Sequence, residues 1–266
     1  MAVLALSREY GSGGREVGRA VAGDLGYTYA DRATVLEYLR TKDPRWERWG
    51  DELDESRPTV WERFDWSFRG YVALMQLHLL ETASRDRAVI VGRGGNFLLE
   101  GVPTVCRIRI VAPRAARIER IMRREHLDHD TVRRLVERTD RERAGFIKAV
   151  YHRNWDDPAA YDRVYNTGLQ DRDEIVALVK ADLLERDRQD GAEAGRTLAR
   201  RLAVARVRAA LFTDPQIQLP LLEVAEEAGG IVVRGVVHSP EDRKRIRDTG
   251  CAVPVELPLS FDLRYR

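Results

Sequence analysis

The chain is short of several things. Only Cys106 and Cys251 occur among its 266 residues, which excludes a disulfide framework and a cysteine-built metal cluster and suits a reducing cytoplasm. No apolar run approaches the ~20 residues that cross a bilayer. The opening "MAVLALSREYG" has no basic lead, too short an apolar run and no small-residue cleavage site. It reads as a first core strand, not a signal peptide. Lysine is scarce: Lys42, Lys148, Lys180 and Lys244 are the four lysines among forty-five basic residues, and the rest are arginine. Forty-three acidic residues leave a net charge of +2. Such intermixed charge argues against a dedicated nucleic-acid surface, and the arginine surplus makes any single arginine weak grounds for a site. His78, His126, His129, His152 and His238 show no ligand spacing with cysteine or carboxylate and read as surface residues.

What is present is a core and an alternation. Hydrophobic residues make up 44% of the chain, enough for one large domain and a small one. Strands are expected at 2–6, 87–91, 104–112 and 161–166. Helices are expected at 14–25, 33–41, 68–85, 113–125, 129–152 and 171–187. The helix at 113 opens on proline, which suits a first turn. Strands alternating with helices imply a parallel sheet with helices on both faces. The stretch 43–69 is polar with Trp46, Trp49, Trp61 and Trp66 interleaved; these either stack a base or pack an insertion against the core. Composition shifts near 188, and "RQDGAEAGR" reads as a linker. Beyond it the order helix, strand, strand, helix, strand implies a small α+β domain. The division is therefore 1–187, a linker at 188–199, and 200–266.

The stretch "REYGSGGREVG" raises the question of chemistry. It joins the first strand to the first helix. A helix start exposes unpaired N–H groups and the positive end of the helix dipole, and glycines let the backbone wrap an anion. Gly11, Ser12, Gly13 and Gly14 fit that use. The standard phosphate-loop pattern G-x-x-x-x-G-K-[ST] fails at three positions, because Arg8 replaces the first glycine and Gly14, Arg15 and Glu16 follow Gly13. A purely structural turn is equally compatible with these residues.

"LSREYGSGGREVGRAVAGDLGYTYADR", "VIVGRGGNFLL", "VAPRAARIERIM" and "WDDPAAYDRVYNTG" together resemble the cytidylate-kinase-like family, collinearly over about 1–185. The resemblance implies a parallel-sheet P-loop fold of the nucleoside monophosphate kinase kind. It implies transfer of the terminal phosphoryl group of ATP, with Mg2+, to a pyrimidine monophosphate. Arginine carries the same charge as lysine and grips phosphate in two places, so Arg15, or else Arg8, stands in for the missing lysine. The resemblance further assigns Arg93 to catalysis and to the substrate, and Asp31 and Arg32 to the monophosphate site. It assigns Arg138, Arg141 and Arg143 to a closing lid, with Arg141 catalytic and Arg138 on the nucleotide. Asn166 and Thr167 fall beside the adenine. Gly92, Gly94 and Gly95 read as turn formers. Glu37 falls where the family carries an arginine. Magnesium has two candidate holders, Glu16 through water or Ser12.

Residues 200–266 resemble a BON module through "VVRGVV" and "SPEDR". That resemblance implies a protein or membrane-lipid partner; a dimerising appendage is the alternative. Three readings result: a nucleotide kinase, a nucleotide-binding sensor without transfer activity, and a membrane-associated scaffold.

Overall fold

The structure, a computed structural model, describes residues 2–46, 50, 65–189 and 191–266. Trp49 and Trp61 lie outside the described residues. The described chain forms two compact units. One comprises 2–35 with 85–189 and 191–194; the other comprises 36–46, 50, 65–84 and 195–266. The division does not follow chain order, since residues 36–46, 50 and 65–84 join the unit built around the end of the chain.

The first unit is built on strands β1 (Val3–Arg8), β2 (Thr28–Ala30), β3 (Ala88–Val91), β4 (Val105–Val111) and β5 (Arg163–Asn166). They form one sheet in the order β2-β3-β1-β4-β5, and every pairing is parallel. Val3 to Leu6 and Ala88 to Val91 are buried, as expected for strands covered on both faces. Helices α1 (Gly14–Leu25) and α7 (Arg172–Asp187) cover one face, where Val17, Val21, Ile175 and Val179 meet Leu4, Leu6, Val89 and Ile108. Helix α4 (Gly95–Leu98) follows β3. Helices α5 (Arg114–Glu125) and α6 (His129–Tyr151) pack through Ile118, Ile121, Val132 and Val136. Helix α2 (Arg32–Lys42) starts here. The short strand β2 has no alternating pattern and was not foreseen from sequence.

The second unit holds α3 (Trp66–Ser84), α8 (Ala192–Thr213), β6 (Glu223–Glu227), β7 (Gly230–Val237), α9 (Pro240–Cys251) and β8 (Leu259–Tyr265). The stretch read as a linker is thus helical from Ala192. The three strands form a small mixed sheet, antiparallel between β6 and β7 and parallel between β7 and β8. Ala228 and Gly229 both have positive φ, the backbone of a tight hairpin turn that matches strand twist. Ser239 and Asp242 cap α9 reciprocally, with Pro240 in its first turn. Val207 and Leu211 of α8 meet Val224, Ile231, Val233 and Ile246.

Helix α3 has no exposed residue and is mostly apolar, with Arg69, Gln76, His78 and Glu81 set among its buried side chains. It is pinned by Arg69, which donates to the carbonyls of Leu219 at 2.7 Å and of Leu222, over the ring of Phe212. Burial, with Arg208 nearby, pushes the Arg69 guanidinium down to about 10, so it stays charged at neutral pH. Trp46 is buried with its ring 5.1 Å from that of Trp66; both pack. His78 is not a surface residue, because its ring stacks on Tyr38 at 4.5 Å.

Cys106 is buried in β4 and Cys251 is exposed. Burial pushes the Cys106 thiol up to about 11, and the thiolate is the reactive form. One thiol per chain is expected to react with Ellman's reagent under native conditions, and the second only after unfolding in urea. Two rapidly reacting thiols would contradict the burial of β4.

Candidate functional site

A cleft of about 540 Å3 opens over the carboxyl end of the parallel sheet, where the strand order turns and such sheets take ligands. Its floor is the glycine loop. Gly11 and Gly13 have φ of 79° and 82°, a backbone region that residues with a Cβ seldom adopt. Gly13 caps α1 without any side-chain bond, and the first intrahelical bond runs from the Val17 amide to the Gly13 carbonyl at 3.1 Å. The amides of Gly14, Arg15 and Glu16 precede that bond, so no turn of α1 engages them. They face the cleft with the positive end of the helix. Gly14 is also a close approach: a Cβ there would stand 2.5 Å from the Arg8 Cβ.

Arginines ring this floor. Arg8 comes from the end of β1, Arg15 from α1, Arg120 and Arg124 from α5, Arg143 from α6 and Arg172 from α7. Arg120 donates to the Thr167 hydroxyl and carbonyl, both at 2.7 Å, and the Thr167 hydroxyl donates to the Ser12 carbonyl at 2.7 Å. Arg124 and Arg143 lie 5.6 and 5.8 Å from the centre of the Tyr10 ring. Arg143 also donates to the Arg8 carbonyl at 3.1 Å. Of the cleft's carboxylates, Glu9 accepts from the Ala112 amide and Asp171 caps α7. Six guanidinium groups and a helix start thus converge on one space, which is the chemistry of an oligoanion site.

The loop is held from behind by Arg117. This buried arginine donates to the Ala112 carbonyl and the Tyr10 carbonyl, both at 3.1 Å, and to Asp140 at 2.5 Å. It also lies 3.4 Å from Glu9. Asp140 in turn accepts from the Tyr10 amide at 2.9 Å. Charges buried this way hold their positions only while paired.

Several expected site residues do not line this cleft. The Ser12 hydroxyl is fully buried and donates to the Glu9 carbonyl at 2.9 Å, so it holds the turn and is not presented to a metal. Arg138 pairs with Glu142 at 3.0 Å, and neither it nor the exposed Arg141 lines the cleft. The reason is helical periodicity: the lid segment is the middle of the continuous helix α6. Its inward line is Val136, Asp140, Arg143 and Ile147. Asn166 folds its Oδ1 onto the Gly168 amide at 2.9 Å, leaving Thr167 to reach the cleft. Asp31 accepts from the Ala33 amide at 2.9 Å as the cap of α2, and Arg15 and Arg19 stand 3.8 Å from it. Arg32 is half-buried at the start of α2, outside the cleft. Arg93 is buried in a narrow recess beside Arg8 and Arg143. It has positive φ, and its carbonyl accepts from the Tyr151 hydroxyl at 2.8 Å. A Cβ on Gly94 would strike that tyrosine ring at 2.1 Å.

Arg117, Arg120, Arg124 and Arg172 were missed as functional residues, being hidden in the arginine surplus. The spacing of 117, 120, 121 and 124 on one side of α5 was a readable signal. For magnesium, no group of three or more His, Cys, Asp or Glu side chains fit to hold a metal occurs among the described residues. Glu16, in the first turn of α1, lines the cleft, as does Glu9, which the Ala112 amide and Arg117 already engage. One carboxylate with substrate phosphates is a usual magnesium arrangement, so the donor set fits an ion brought in with the nucleotide.

A family model described as the cytidylate kinase-like family matches residues 3–169. A crystal structure of an uncharacterised protein from Eubacterium ventriosum superposes with a TM-score of 0.56 at 19% identity, over 71% of this chain and 100% of that one. A shikimate kinase from Acinetobacter baumannii superposes with a TM-score of 0.40 at 16% identity, over 71% of this chain and 96% of its own. A uronate isomerase from Corynebacterium glutamicum is 33% identical over 97 residues, which is 36% of this chain. The matched stretch is 19% of that isomerase, so the chain spans about a fifth of the curated relative's length.

Arg117→Met is expected to lower the free energy of unfolding by about 3 kcal/mol, because it leaves Glu9 and Asp140 without their counter-charge. Urea denaturation followed by circular dichroism measures it. An unchanged midpoint would show that the loop does not depend on the clamp.

Proposed function

Because the chain belongs to the cytidylate kinase-like family, we propose that it is an ATP-dependent kinase for a nucleoside monophosphate of the cytidine type. The observation that carries this reading is the uncapped start of α1 inside a ring of arginines. The amides of Gly14, Arg15 and Glu16 take the phosphate oxygens, with Gly11 and Gly13 shaping the turn. Arg15, Arg120 and Arg143 supply the charge that a lysine gives in other phosphate loops. Arg8 and Arg93 turn the acceptor's phosphate towards the terminal phosphorus. An acceptor oxygen bonds to that phosphorus as the bridging oxygen leaves with ADP, and the guanidinium groups meet the charge that develops on it. Magnesium, held on the phosphates with Glu16 through water, would neutralise part of the same charge.

The buried Ser12 hydroxyl and the remote Arg138 and Arg141 favour a second reading, a nucleotide-binding sensor with little or no transfer activity. In either case residues 1–187 carry the nucleotide chemistry in the cytoplasm. Residues 200–266, beyond a 188–199 connection, serve as a BON-like module for a protein or lipid partner, which liposome sedimentation with and without that segment would test. Among the described residues, no helix is long and apolar enough to cross a membrane.

The purified chain is expected to release ADP from ATP and Mg2+ when a pyrimidine monophosphate is added. Arg15→Ala should lower that turnover by ~10²-fold, the usual cost of one well-placed donor. Arg15→Lys should recover part of it, and Arg138→Ala should leave it unchanged. Calorimetric ATP binding with no ADP from any monophosphate would select the sensor. No heat with any triphosphate would remove both readings.

A further inference from the structure

Strand β8 ends the mixed sheet of the second unit. It pairs in parallel with β7 from Ile231↔Leu259 to Val237↔Tyr265, and no described strand lies along its other edge. The strand runs seven residues without proline. Its two faces differ. Phe261 and Leu259 turn towards α9, where a Cβ on Gly250 would stand 3.0 Å from the Phe261 ring and 3.6 Å from Leu259. Arg247 and Arg243 lie 5.5 and 5.6 Å from the Phe261 and Tyr265 rings. Leu263 belongs to the core. The opposite face presents Ser260, Asp262 and Arg264, with the Asp262 and Arg264 side chains 46% and 80% exposed.

An open edge of this length is a template for another strand unless charge or proline blocks it. Here the charges are self-complementary. An antiparallel pairing with a second copy, with the two-fold axis at Leu263, sets Asp262 across from Arg264 of the second copy, and Arg264 across from its Asp262. On the other face, Phe261 meets Tyr265. Sliding by two residues opposes Asp262 to Asp262, or Arg264 to Arg264. Sliding by one sets the apolar face against the polar one. Among registers within two residues of it, this one alone opposes unlike charges and matches both faces.

We propose that β8 is a self-association edge, through which two copies join antiparallel into one continuous sheet. Strand-edge pairing buries little surface, so the dimer is weak, with dissociation in roughly the micromolar range.

Sedimentation velocity of the full chain over a concentration series tests it, and a monomer–dimer equilibrium is expected. Asp262→Arg alone, or Arg264→Asp alone, opposes like charges twice across the two-fold and should weaken the dimer by at least ~tenfold. The double variant D262R/R264D exchanges the charges and should restore it. In the unaltered chain, amide hydrogen exchange within 259–265 should slow as concentration rises. A monomer throughout, a dimer indifferent to the single reversals, a folded double variant that stays monomeric, or exchange independent of concentration would overturn the proposal.

Discussion

The glycine loop stands on one buried guanidinium. Arg117 satisfies two backbone carbonyls and two carboxylates at once, and each of those groups sits in or beside the loop. Glu9 and Asp140 carry the restraint onward, one to the Ala112 amide and the other to the Tyr10 amide. A turn of glycines has little stiffness of its own, since glycine gives up the most conformational freedom on ordering. Its shape is imposed from α5 and α6. The same two helices send Arg120, Arg124 and Arg143 past the clamp into the cleft, so the scaffold that fixes the backbone donors also fixes the side-chain donors around them.

This arrangement explains how a loop without lysine can present as much positive charge as one that has it. A lysine at the start of the helix is a local solution, written in one short motif. Here the charge is distributed over β1, α1, α5, α6 and α7. Several of these guanidinium groups are held by neighbours, as Arg120 is by Thr167 and Arg124 and Arg143 are beside Tyr10. Preorganised charge of this kind needs little rearrangement when an anion arrives.

The parts of the fold governed by local pattern were legible in the sequence. Residues 14–25 gave helix at the expected bounds because Val17 and Val21 fall on one face and Gly26 ends it in a left-handed turn. The apolar runs of β1, β3 and β4 read as buried parallel strands. The strand β2 escaped because three residues carry no period. The glycine loop was legible as an anion site with Arg8, Arg15 and Arg143 near it, whereas Arg120, Arg124 and Arg172 were not. The approach of side chains from α5 or α6 depends on which face of the helix meets the loop. Arg138, Arg141 and Arg143 were all expected at the lid, and of the three Arg143 lines the cleft, because it shares the inward side of its helix with Asp140. Family resemblance locates a segment; the inward line of Val136 and Ile147 decides which of its residues count. The grouping of α3 with the end of the chain rests on Arg69 and its distant carbonyl partners, and no local signal announces such a contact.

The crowding between Gly14 and Arg8 bears on how such a chain can change over generations. Any side chain at position 14 would displace the arginine stem beneath it, so an ammonium at the helix start and a guanidinium at the strand end exclude each other. Moving from one charge scheme to the other requires both positions to change together, and either intermediate loses the cation or jams the turn. Lineages that took the arginine route would therefore tend to stay on it.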